Sequence, residues 1–385
     1  MSALLNAIRI GLLFFSAAAF YAVWYIFMHN GSTDQLGHVL KVGPRTLPGT
    51  QEPIKFVYTG IPAVDKQLTI LTMVFWEQVD GSSPSNSLFC FHFATQTACG
   101  WGLLMIESMR RGHRWRMISF LGVWGILVQN AAYAVVLPIY LAIYLSTSPL
   151  VILKSVSDLL VETDHVAAIF PALLIGFVLP SILMSLPAPS ILSYEQKQTY
   201  IALWQLFPIW VSMVQALLPY VMSKPEKKSS TKSFVSQELH TMRIVYVGLL
   251  IIAGFGQAAT ATLIATSTFF PDLFASEFKG AFNLSKVFLP AAVSPSTKML
   301  SIGSGTHLLL QYDELIGSGA MILWSTTLFM MVYQKRSSHQ SEASLIAHGI
   351  MALFLTGPLG YATACIWARD ELLISQAEEN EKKVD

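Results

Sequence analysis

The stretch Tyr58–Gly81, YTGIPAVDKQLTILTMVFWEQVDG, decides how this chain is read. Thr59-Gly60-Ile61-Pro62 is a turn signal. Pro62 suits a first helical turn, where a missing N–H costs nothing. An apolar helix follows with acids at both ends: Asp65 near its start, Glu77 and Asp80 near its finish. Asp65 and Asp80 lie 15 positions apart, so they point within about 60° of each other across roughly 22 Å of rise. Glu77 and Asp80 share a face as an i, i+3 pair, with Phe75 and Trp76 beside them. Carboxyl groups in so apolar a setting tend to hold their protons at neutral pH. A buried acid beside aromatic faces can protonate an alkene or epoxide and shelter the resulting cation. The plainer alternative is that Asp65 and Asp80 mark the two water interfaces, Asp65 gaining from the helix N-terminus.

Outward from this stretch, the composition sets the class. The chain has 385 residues, 53% hydrophobic and only 12% charged, with a mean hydropathy of +0.53. A soluble domain carries about twice that charged fraction. The apolar residues fall in blocks of about 18 to 25, the length that crosses a bilayer. The expected fold is all-α, a polytopic transmembrane bundle of about eight or nine spans in one integral-membrane domain. A net charge of +1 gives no sign of nucleic-acid binding. Cys90, Cys99 and Cys365 make no disulfide or metal framework, and no His/Cys/carboxylate set has metal-ligand spacing. No metal and no cofactor is expected.

The spans are expected at about 8–28, 62–80, 88–107, 117–145, 165–186, 199–221, 243–267, 313–333 and 343–368. The first reads as a retained anchor, its apolar run being longer than a signal-peptide core. The third is polar inside, with His92, Thr95, Gln96 and Thr97; Gln96 and Glu107 align within about 20° on one face. Gln and Thr at such depth also serve simply as bonds between helices, and Glu107 has Arg110 and Arg111 as ion-pair partners. The fourth carries Gln129 and Asn130 at mid-depth and Pro138 near its end, and residues 150–160 read as a short amphipathic helix. Residues 223–240 form a lysine-rich loop between two groups of spans, and 369–385 a charged, solvated tail. Residues 268–312 interleave charges with Phe and Leu, as a segment lying on the membrane or a re-entrant lid does. Basic loops at 110–116, 224–232 and 335–336 cannot all face the cytoplasm, because three spans separate the first two.

Four motifs in order, YTGIPAVDKQLTILTMVFWEQVDG, SLFCFHFATQTACGWGLLMIESMRRG, VVLPIYLAIYLSTSP and LLLQYDELIGSGA, resemble the fungal integral-membrane terpene cyclases of meroterpenoid clusters of the ascofuranone and macrophorin type. The resemblance implies cyclisation of a prenyl chain, usually a farnesyl group on a phenol or quinone-derived ring. Initiation is by protonation of an epoxide or terminal olefin. The sequence agrees: it has no DDxxD or NDxxD element to hold magnesium and diphosphate, and no DxDD acid motif. Carried onto these motifs, the candidate acids are Asp65, Asp80, Glu107 and Asp313. Glu77 and Gln78 stand where relatives are expected to carry apolar residues or proline.

The resulting expectation has Asp80 as proton donor, with Asp65 or Asp313 in that part or orienting it. The cavity lies between the second, third and eighth spans. Gln96 and Glu107 supply polar contacts or take the last proton, Glu77 is a further catalytic candidate, and Gln311 contacts the substrate. Phe75, Trp76, Phe91 and Trp101 line the pocket; the same aromatics also suit ordinary packing or an interface belt. The implied partners are a lipophilic prenylated small molecule and the bilayer, in the endoplasmic reticulum by analogy. A second reading is a proton-coupled transporter using Asp65, Asp80 and Asp313, although no matched pair of broken helices is visible.

Overall fold

A computed structural model describes residues 2–152, 155–222, 231–292, 294, 296, 298–334 and 341–381, with side chains from 237 in the segment after 231 and to 377 at the C-terminal end. Residues 223–230 of the lysine-rich loop, the basic pair 335–336 and the last four residues of the tail lie outside the described residues, while residues 231–240, expected in that loop, are helical.

Regular structure among these residues is helical, apart from one isolated bridge between Thr46 and Pro53. Thirteen helices frame the site. They are α1 (Ala3–His29), α2 (Ser32–Lys41), α3 (Pro62–Val79), α4 (Pro84–Met109), α5 (Leu121–Ala131) and α6 (Tyr133–Thr147). Then follow α7 (Ile169–Ser185), α8 (Tyr194–Trp204), α9 (Phe207–Met222), α10 (Thr231–Phe269), the short α11 (Leu284–Phe288), α12 (Ile302–Tyr333) and α13 (Glu342–Glu381). Proline opens α3 and α4, as expected for a first turn. Ser193 and Ser301 cap α8 and α12 with reciprocal capping boxes.

The C-terminal half of α4, Ala98 to Ser108, is buried residue after residue, which puts it at the centre of the bundle. Helix α12 packs against α1, α3, α6 and α13. Large apolar side chains also point outward. Phe14 is 71% exposed, Phe255 65% and Phe354 72%. Such a surface suits lipid, since soluble proteins rarely expose contiguous apolar area on this scale.

Four helices, α1, α10, α12 and α13, are long and apolar enough to cross a membrane. The count reaches six if two bent pairs each cross as one: Val156–Ala167 with Ile169–Ser185, bent by 58°, and α8 with α9, bent by 63°. This is fewer than the eight or nine spans expected. The second and third expected spans do form, as α3 and α4, but neither is apolar enough throughout to meet the same standard. The fourth is broken at Ala132, whose φ of 80° interrupts the helix between α5 and α6. The expected amphipathic helix at 150–160 is a pair of 3-10 turns.

Two further departures from regular helix have visible partners. In α13, Gly357 takes φ 70° ahead of Pro358. There Gln96 accepts from Leu359 N at 3.0 Å and donates to Thr356 O at 3.1 Å and Ala253 O at 3.3 Å. A Cβ on Gly357 would lie 2.6 Å from Gln96 Nε2, so both the dihedral and the contact require glycine. In α1, Phe20–Tyr25 widens into a π-turn. Trp24 of that turn donates to Ala131 O at 2.9 Å, tying α1 to the break before α6.

Candidate active site

Two neighbouring spaces open inside the bundle. The larger, about 1020 Å³, lies among α1, α2, α3, the end of α5 and α12. Lys41, Lys66, Gln67 and Asn130 give its lining a polar part, and Trp24, Phe27, Ile70, Val74 and Phe75 an apolar one. The smaller, about 110 Å³, lies deeper, against α4, α7, α8 and α9. Its walls are aromatic: Phe75, Phe93, Trp101, Tyr133, Phe177, Trp204 and Phe207. Their rings support one another, with Trp101 edge-on to Phe207 at 5.4 Å and Phe177 edge-on to Phe207 at 4.9 Å. Phe75 and Trp204 approach to 5.3 Å.

Five residues line both spaces, and their shared boundary is termed the neck: Phe75, Val128, Gln129, Leu310 and Asp313. Only Gln129 and Asp313 among them are polar. Asp313 is buried on α12. Its Oδ1 accepts from Ala134 N at 2.7 Å and its Oδ2 from Tyr133 N at 3.3 Å. These N–H groups are free because the break at Ala132 starts a new helix, whose first amides have no intrahelical acceptor. One device thus creates the N-terminus of α6 and fixes the carboxyl group that faces the neck. A non-glycine residue held at positive φ is strained, and such strain clusters at functional sites.

Asp65 also lines the larger space, but its oxygens are taken. Oδ1 accepts from Tyr58 N at 3.1 Å, Thr59 N at 2.7 Å and Thr59 Oγ1 at 2.8 Å, and Oδ2 from Gly60 N at 3.0 Å. Asp65 therefore folds the turn that precedes α3. Phe75 and Trp101 line the smaller space.

The remaining expected residues line neither space. Asp80 caps the end of α3 and accepts from Ser82 N at 2.9 Å and Ser82 Oγ at 2.7 Å. Glu77 accepts from Gly303 N in the first turn of α12, where a carboxylate meets the positive end of the helix dipole. Gln96 serves the break in α13, as described above. Gln311 donates to Val287 O at 2.9 Å and Lys286 O at 3.2 Å, holding α11 against α12. Trp76 is buried near Tyr194, with ring centroids 6.2 Å apart. Phe91 is 39% exposed on the outer face beside Phe255.

Glu107 belongs to a separate buried cluster. Arg110 reaches it at 2.7 Å, Arg369 at 3.0 Å and Tyr144 Oη at 2.6 Å. Asp370 accepts from Arg110 at 2.6 Å, Arg369 at 2.7 Å and Tyr246 Oη at 2.8 Å. Every carboxylate oxygen in this cluster has a donor, and two cations balance two anions.

The sequence did not single out the deep aromatic wall. Phe93, Phe177, Trp204 and Phe207 come from α4, α7, α8 and α9, and no local spacing relates them. Gln129 was visible as a mid-depth polar residue but without a role.

The geometry defines a class: a helical membrane protein with an acid at the throat of an aromatic-walled chamber. Residues 8–374 match the CtvD-domain family model, and the chain belongs to that family. It is 30% identical to terpene cyclase ascI of Acremonium egyptiacum, over 85% of this chain and 82% of that protein. It is 26% identical to terpene cyclase ctvD of Aspergillus terreus, over 94% of this chain and 98% of that protein. A third relative, terpene cyclase janA of Penicillium janthinellum, is 26% identical over 90% of both chains. No solved structure matches.

Proposed function

We propose that this chain is a membrane terpene cyclase of fungal meroterpenoid biosynthesis. It protonates an epoxide or terminal olefin of a prenyl chain, a farnesyl group on a phenol or quinone-derived ring, and closes that chain into rings. Family membership and the named relatives support the activity. The observation that carries the site is Asp313, a buried carboxyl group at the neck between a wide cavity and an aromatic chamber. The relatives also disfavour the transporter reading.

The aromatic head of the substrate occupies the wide cavity, near Lys41, Lys66 and Gln67, and the prenyl chain reaches through the neck. Asp313 donates its proton to the reacting terminus. On an epoxide, the C–O bond breaks with its electron pair on oxygen, leaving a hydroxyl group and a carbocation. On an olefin, the π pair takes the proton directly. Neighbouring alkenes then supply their π pairs in turn, each closing a ring and moving the cation along. The last cation loses a proton from an adjacent carbon, and the C–H pair becomes an alkene. The Asp313 carboxylate takes that proton back, so the product is an isomer of the substrate. Phe75, Phe93, Trp101, Trp204 and Phe207 present π faces that stabilise the moving charge. The apolar walls keep water from quenching it. Such a reaction suits the endoplasmic reticulum membrane, into which a prenylated substrate dissolves.

Yeast microsomes carrying the chain, fed a panel of farnesylated phenols and their terminal epoxides, test this. The expected result is a cyclised product of unchanged mass, identified by mass spectrometry and NMR. No conversion of either form by well-expressed protein across the panel counts against the proposal.

A further inference from the structure

Asp313 shares the neck with one other polar side chain, Gln129 of α5. The Nε2 of Gln129 is buried and has no hydrogen-bond partner. Neighbouring polar groups do not serve it. Asn130 donates to Ile126 O at 2.8 Å and takes a 3.4 Å contact from Gln67. Asp313 is occupied by the amides of Tyr133 and Ala134. Other buried polar atoms also lack partners, but among the described residues Gln129 alone of them lines both spaces. A buried donor left unmade costs about 1–3 kcal/mol, and at this place an occupant of the cavity can satisfy it. The occupant must carry an acceptor with a lone pair, reach the neck from the wide cavity, and lie beside a carboxyl group.

We infer that Gln129 is a catalytic residue: its Nε2–H donates to the oxygen of an epoxide at the prenyl terminus while Asp313 protonates that same oxygen. This rests on the cyclase reading and deepens it, because only an oxygen-bearing terminus satisfies the donor. An alkene carbon offers no lone pair. Two donors converging on the oxygen do different work. Asp313 transfers its proton as the C–O bond breaks and the bonding pair stays on oxygen. Gln129 transfers nothing. Its hydrogen bond strengthens as negative charge develops on the departing oxygen, then holds the new hydroxyl group during ring closure. A donor aimed at developing oxygen charge in a water-poor site acts mainly on kcat.

The site also explains the position of Gln129. It lies three residues before Ala132, the residue whose strained backbone ends α5 and starts α6. The same short segment presents the Gln129 amide and, through Tyr133 and Ala134, orients Asp313. One piece of backbone thus carries the second donor and the two amides that hold the acid.

The test uses full-length protein in microsomes and the variant Gln129→Met, which keeps side-chain length but removes the donor. Each is assayed with a farnesylated phenol, with its terminal epoxide, and with the saturated epoxide analogue as a competitive inhibitor. The wild type is expected to cyclise the epoxide in preference to the olefin. Gln129→Met is expected to lower kcat for the epoxide by roughly 10²-fold at unchanged membrane abundance. It should also weaken inhibition by the saturated epoxide relative to the corresponding alkane. A purely structural role would instead lower abundance and leave the epoxide-to-alkane ratio as it was. Epoxide turnover by Gln129→Met within about threefold of wild type would overturn the assignment and leave the cyclase reading standing. Wild-type preference for the olefin, unchanged in the variant, would overturn it too. Wild-type conversion of neither form counts against the cyclase reading itself, and the assignment falls with it.

Discussion

The neck at Asp313 and the cluster at Glu107 both bury carboxyl groups inside an apolar bundle, yet they are built on opposite plans. In the cluster, Glu107 and Asp370 are each bound by Arg110, Arg369 and a tyrosine hydroxyl, and charge is balanced within it. At the neck, Asp313 has two backbone amides and an open space on either side. Burial alone therefore does not mark chemistry in such a protein. An acid neutralised by buried arginines marks a joint between helices, and an acid held only by backbone amides beside a cavity marks a place for a ligand.

Breaking the cluster should have the largest effect on folding. Arg110→Leu removes a donor from both Glu107 and Asp370 and leaves uncompensated buried charge. Breaking a buried pair in this way costs about 3–5 kcal/mol. The expected outcome is loss of monodisperse protein in detergent, read by size exclusion, with activity falling only in proportion. A normally folded but inactive Arg110→Leu would move the cluster into the chemistry and erase the contrast.

Gln96→Leu comes next. It strands the Leu359 amide at the break in α13, at a cost of about 1–3 kcal/mol. A lowered melting temperature with unchanged products would class Gln96 with the cluster. Altered products would bring it to the site. Trp101→Leu removes one aromatic face from the deep chamber, worth about 0.5–2 kcal/mol to a nearby cation. Its expected signature is a larger share of partly cyclised or water-quenched products at near-normal abundance. The smallest effect is expected from Asp80→Asn. Asn still accepts from Ser82, so stability should change by less than about 0.5 kcal/mol and product formation should persist.

Much of the frame is legible in the sequence. Pro62 announces the start of α3, and apolar blocks outline α1, α10, α12 and α13. The YDELIG motif contains Asp313. The break at Ala132 is not legible, because neither glycine nor proline marks it. Pro138, which looks like the breaker, sits within α6. The amides exposed by the break are met by Asp313, 179 residues on, and that tertiary partner stabilises a turn that local propensity disfavours. The sequence reading put Asp80 ahead of Asp65 and Asp313 for a related reason. Sequence shows that an acid is present, but not that the Tyr58–Gly60 segment already occupies both oxygens of Asp65, nor that Asp80 caps α3 away from both spaces. The aromatic chamber was hidden because its walls come from helices far apart in the chain.

The most direct test of the central claim is cyclisation by Asp313→Asn in microsomes, beside wild type and Asp80→Asn at matched abundance. Asn cannot deliver the proton, and loss of a positioned general acid typically costs 10²–10⁴-fold. Product should fall by at least about 10²-fold in Asp313→Asn, with Asp80→Asn close to wild type. Cyclisation that survives in Asp313→Asn but vanishes in Asp80→Asn would contradict it and move the acid to the end of α3.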